Sequence, residues 1–255
     1  MRMRSRVFGI VVAALGSTAL VGATRAPTIP PVLLPGSSDI VGSHFAARCD
    51  SVQRFARGAG QAAERLLGAH RVTEQPTTYR GKPAVLLVTS AQDADPFVDS
   101  MLVYRDGLAP VSEIVRSGAR VMRYDYDGPR VRITSATGDS SPVVKDHRYN
   151  APVFSFQQLG AVIRSLPLRS GYAALLPLYS EGDDSVEVDT VRVERRAATG
   201  VWSIRFADPA IVATVGVDEK SRTQVAYSHT FRQDGPSWKV GMVWRQSYRA
   251  CKARM

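Results

Sequence analysis

The sequence predicts a mainly β fold: a curved antiparallel meander, or half-barrel, with one or two short helices, preceded by a signal peptide. Three observations predict it. Turn pairs such as Asp106-Gly107, Asp127-Gly128 and Asp234-Gly235 punctuate the chain from residue 70 onward, and such pairs supply the positive φ that tight hairpins need. Between them, β-branched and aromatic residues alternate with the period of a strand. Before all of this, a basic start, an apolar run and a small-residue exit stand in the order of an export signal.

Met1-Arg-Met-Arg-Ser-Arg6 is the basic start, and Val7 to Ala23 carries no charge. Val21-Gly-Ala23 fits the small-x-small rule for cleavage, so residues 1–23 are expected to be a signal peptide. The competing reading is an uncleaved anchor, but the run falls short of the roughly 20 residues of a spanning helix. Localisation is therefore expected to be periplasmic or secreted. Residues 24–43, with Pro27, Pro30, Pro31, Pro35 and Gly36, read as an extended linker, and residues 44–255 as a single β-rich domain.

Residues 44–70 have helical composition around Phe45–Phe55 and Gln61–Leu67, cut short by Gly58, Gly60 and Gly68, and a helix or two is expected there. Later runs alternate cleanly. Trp202, Ile204 and Phe206 share one face, as do Val225, Tyr227, His229 and Phe231, and Trp238, Val240, Met242 and Trp244. One run changes phase: Val186 and Val188 are even-numbered, Val191 and Val193 odd. A β-bulge near Asp189-Thr190 would keep all four on the core. Between the strands, Ser155–Ser165 places Phe156, Leu159, Val162 and Ile163 at helical spacing and meets Pro167, which predicts a short helix.

Cys49 and Cys251 are the only cysteines. In an oxidising compartment such a pair reads as a disulfide tying the start of the domain to its end; two unpaired thiols are the alternative.

The composition, 44% hydrophobic and 22% charged over 255 residues, is that of a globular chain and excludes collagen, coiled coil and long disorder. The net charge of +10 falls to +7 without residues 1–23, and residues 220–255 alone carry +7. That basic end could meet an anionic membrane surface; a solvated strand face is the plainer reading. Nucleic acid is not an expected partner of an exported chain.

Motifs for chemistry are missing. No Gly-x-Ser-x-Gly turn, Ser-x-x-Lys or Gly-rich phosphate loop occurs, and no two of His44, His70, His147 and His229 stand at metal-ligand spacing. Asp125-x-Asp127 lacks the remaining ligands of a calcium loop and reads as a strand end and turn. No catalytic residue, metal or cofactor is expected. The remaining candidates are aromatic. A curved sheet has a concave face, and Trp202, Phe206, Tyr227, Phe231, Trp238 and Trp244 are placed there as contacts for an apolar ligand, with ordinary core packing as the alternative.

Tyr104-Arg-Asp-Gly-Leu-Ala-Pro-Val111, followed by Tyr124-Asp-Tyr-Asp-Gly128, by Phe154–Ile163 with Leu166-Pro-Leu-Arg-Ser-Gly-Tyr172, and by Val217-Asp-Glu-Lys-Ser-Arg-Thr223, resembles an exported bacterial family of unknown function over residues 70–235. The resemblance implies the half-barrel of periplasmic lipoprotein carriers (LolA/LolB-like), a sheet wrapped around short helices. By analogy of fold it implies an envelope-associated, non-catalytic role: binding a lipid, an acyl chain or a protein partner. It offers no catalytic residue. The alternatives are a structural or interaction module with a filled core, and a hydrolase without a recognisable motif.

Overall fold

The computed structural model describes residues 29–58, 62–91, 96–180, 184–207, 211–232 and 240–251. Residues 1–23 and Trp238 lie outside the described residues. The strands are β1 Arg48–Gly58, β2 Arg65–Tyr79, β3 Lys82–Ala91, β4 Phe97–Tyr104, β5 Pro110–Ser117, β6 Arg120–Asp127, β7 Arg130–Thr137, β8 Val143–Arg148, β9 Phe154–Ser155, β10 Ala173–Ser180, β11 Ser185–Arg196, β12 Val201–Ala207, β13 Ile211–Asp218, β14 Gln224–Arg232 and β15 Val240–Ala250. One 3-10 turn, Phe156–Gln158, leads into the helix α1, Leu159–Ser165.

All the strands join one curved, unclosed sheet in the order β8 to β1, then β15 to β9. Every pairing is antiparallel except the short one between β9 and β10. The first half of the chain meets the second half through the β1–β15 ladder, from Asp50 opposite Ala250 to Gly58 opposite Met242. The Cys49–Cys251 disulfide closes the end of that ladder, with the two Cα atoms 5.4 Å apart, and the Cys251 amide donates to the Cys49 carbonyl at 3.0 Å.

Two expectations are corrected. The described residues of 44–70 hold no helix: Arg48–Gly58 and Arg65–Tyr79 are strands. β1 is hydrogen-bonded on both sides, to β15 and β2, and that ladder outweighs the helix propensity of residues such as Gln53, Arg54 and Ala56. The bulge near Asp189-Thr190 is also absent. β10 and β11 pair without a break from Ala173–Arg192 to Ser180–Ser185. The register shift of β11 lies instead between Val193 and Arg195, on the β12 side. Asp189 therefore turns inward and is buried, while Val188 is left 55% exposed.

The predicted helix forms, with Ser155 as its cap: its hydroxyl accepts from the Gln157 amide at 3.1 Å. Val162, Ile163 and Leu166 are buried in the same cluster as Leu176, Val191 and Ile204 of the sheet. Phe156, at the edge of the expected apolar face, is 44% exposed. Fully burying such side chains contributes about 2 kcal/mol each, and this holds α1 on the concave face although seven residues is too short to be stable alone.

The two ends of the sheet are brought together by side chains. Tyr179 of β10 packs edge-on against Tyr124 of β6, 6.1 Å between ring centres, and its hydroxyl donates to Asp184 at 2.9 Å. Lys145 of β8 forms an ion pair with the same Asp184. From residue 29 the segment before β1 runs through several turns and is anchored: the Leu33 amide donates to the Leu175 carbonyl at 2.8 Å, and Leu33 and Ile40 are buried. It crosses the turn after β4, where the Gly36 amide donates to the Gly107 carbonyl at 2.8 Å. The Asp106-Gly-Leu motif is explained there. Gly107 has φ +70° and a side chain on it would run into the Gly36 backbone at 2.4 Å, while Leu108 is fully buried and its carbonyl accepts from Gln158 at 2.8 Å.

Candidate functional site

α1 covers only part of the concave face. Beside it lies a cavity of about 140 Å³ between the helix and strands β1, β2, β3, β14 and β15. The register places its walls. Arg48 stands opposite Glu74, Asp50 opposite Val72 and Val52 opposite His70 across β1 and β2. Tyr248 of β15 stands opposite Val52, and Leu87 of β3 opposite Glu74. The helix contributes Gly160, Ala161 and Arg164. Gly160 has no side chain to separate it from β14: a Cβ would sit 3.3 Å from the Gln224 side-chain oxygen.

Two ion pairs stand on the walls of this cavity. Arg164 and Glu74 form an ion pair with side chains only 6% and 4% exposed. Arg48 pairs with Asp50 at the rim. The Arg164 guanidinium also lies 5.1 Å above the Phe45 ring and donates to the Gly160 carbonyl at 3.2 Å. Burial lowers its pKa, and the adjacent Glu74 opposes that fall. Arg222, at the β13–β14 turn, donates to the carbonyls of Arg164 at 3.1 Å and Leu166 at 2.8 Å. It thereby caps the C-terminal end of α1, where cations are favoured. The Tyr248 hydroxyl accepts from Gln224, and burial raises its pKa. His44, beside Arg164 and Arg222, is pushed down to about 4, first by burial and then by those two charges.

Such walls suit a small ligand with hydrogen-bonding groups of either sign. Both wall carboxylates are engaged by guanidinium groups. Among the described residues no group of three or more His, Cys, Asp or Glu side chains could hold a metal ion. No described helix is long and apolar enough to cross a membrane.

The aromatic residues singled out above are distributed differently. Trp202 and Phe206 are 8% and 3% exposed and belong to the cluster around α1. The Trp202 indole donates to Glu219 at 3.3 Å. Tyr227 is half-buried against that cluster, edge-on to His229 at 5.3 Å. For Phe231 and Trp244 the described feature is the backbone register, Phe231 opposite Ile211 and Trp244 opposite His229 and Ala56. The ion-paired cavity residues went unnoticed in the sequence. Arg164 alone gave a signal, as a charge inside an otherwise apolar helix (Ala161 to Leu166); its partner Glu74 lies 90 residues away.

The family of proteins of unknown function DUF3108 matches residues 67–229. The chain belongs to the DUF3108 family. No curated protein matches the chain. The DUF3108 match runs from β2 into β14. It therefore contains the turn motif at Gly107, α1, Glu74 and Arg164, while β1, β15 and the disulfide lie outside it.

Proposed function

We propose that this DUF3108 protein is an exported, non-catalytic binding module that holds the polar end of an amphipathic ligand, a lipid or acyl-chain molecule, in the cavity beside α1. The carrying observation is that α1 leaves part of the concave face uncovered and that the uncovered part is lined by Arg48, Asp50, Glu74, Arg164 and Tyr248 over apolar Val72 and Leu87. A cavity of about 140 Å³ is close to the size that admits a benzene ring in an engineered protein core. It suits a headgroup-sized fragment. The disulfide is compatible with export.

A second reading, a filled-core interaction module, is favoured by the burial of Trp202 and Phe206. Displacement of a fluorescent fatty acid separates the two. The binding module is expected to show saturable displacement that weakens several-fold in Arg48→Gln and Gln224→Leu, both at the cavity wall. A folded protein with no saturable displacement would rule out the ligand and leave the filled core.

A further inference from the structure

The convex face of β11 to β15 carries a second feature, independent of the cavity. Val191, Val193, Ile204 and Phe206 point into the core, so Arg192 and Arg205 point out. They are directly opposite each other across β11 and β12, and both are exposed. Like charges facing across a ladder destabilise it, yet no carboxylate pairs with either among the described residues. Next to them lies a groove of about 340 Å³. Its floor is made by cross-strand rows of small residues, Ser203–Gly216–Ala226 and Thr214–Ser228, with Arg195 and Arg245 on its walls. Of the basic residues counted in residues 220–255, Arg222 is used inside on α1 and Arg245 on Glu64. Arg192 and Arg205 thus add outward charge on β11 and β12 to that of the C-terminal segment, where Lys220 and Arg249 are exposed.

We propose that this convex face docks on a membrane surface bearing anionic phospholipid, with the Arg192 and Arg205 guanidinium groups on headgroup phosphates and the groove over the adjoining apolar part of a lipid. Guanidinium forks match phosphate oxygens bidentately. A bilayer fits better than an acidic peptide. Strands β11 to β14 are hydrogen-bonded on both sides, so no main-chain edge is open here for an extended peptide to pair with.

Sedimentation with phosphatidylcholine vesicles, with and without phosphatidylglycerol, tests the proposal on protein purified from the exported fraction. Binding is expected only with phosphatidylglycerol and is expected to weaken at high salt. Arg192→Glu should bind about tenfold more weakly while melting no lower than the parent, because it places a carboxylate opposite Arg205. Arg116→Glu with Arg120→Glu, a larger charge change on other exposed strands, should bind within about twofold of the parent. Equal binding to neutral vesicles, no effect of Arg192→Glu, or an equal loss in the control variant would overturn the proposal. So would a dimer broken by Arg192→Glu without vesicle binding, which would assign the face to a second copy.

Discussion

Arg164 of α1 and Glu74 of β2 form a buried ion pair between helix and sheet, with Arg164 Nη1 lying 3.4 Å from the second Glu74 oxygen. Removing one partner of a buried pair leaves an uncompensated charge, which typically costs about 3–5 kcal/mol, whereas apolar replacement of both is often neutral. Glu74→Leu alone should therefore lower the urea midpoint strongly. Glu74→Leu combined with Arg164→Met should recover most of the loss. Additive losses would show that the pair is not energetically coupled.

The disulfide spans 202 residues and closes the ladder that joins the two halves of the sheet. In the chain-entropy treatment such a loop contributes up to about 5 kcal/mol, and measured losses for native bridges are about 2–5 kcal/mol. Cys49→Ala with Cys251→Ala should lower the melting temperature accordingly. The unreduced protein should incorporate no thiol reagent; labelling of both cysteines would contradict the bridge.

His44 has its folded pKa lowered to about 4 from an unfolded value near 6.5. Between those values the unfolded chain holds more protons than the folded one, so stability falls as the pH drops through that window. After allowance for solvent screening of a half-buried ring, the loss is on the order of 1 kcal/mol. The unfolding midpoint of His44→Gln should be flatter over this window than that of the parent. Parallel curves would remove His44 as the source.

Gly107 combines φ +70° with a Cβ direction blocked by the Gly36 backbone. Gly107→Ala should cost about 2 kcal/mol or more, since strain and displacement of the 29–43 segment add together. Gly118→Ala, with φ +55° but nothing within 4 Å, should cost about 1 kcal/mol. Chemical denaturation of both variants checks the difference; equal losses would mean that the Gly36 contact contributes nothing.

Much of the sheet was legible because alternation and turns are local. Trp202–Ile204–Phe206 does face inward, and Gly107 and Gly128 do have positive φ. β1 was not legible: its residues have helical propensity, and only pairing with β15, nearly 200 residues later, makes them a strand. The cavity was hidden for the same reason. Asp50, Glu74 and Tyr248 look like ordinary strand residues until the register places them around Arg164.

The chain by itself determined its β class, the short helix within residues 155–165 and the pairing of its two cysteines, because periodicity, capping and cysteine count are properties of neighbouring or unique residues. Tertiary structure alone decided that the first and last described strands, β1 and β15, form the middle of the sheet, that Glu74 neutralises the one charge in α1, and that Arg192 faces Arg205. Each of these depends on which distant strands align and in what register, and the pairing free energy that selects it is shared by the whole sheet.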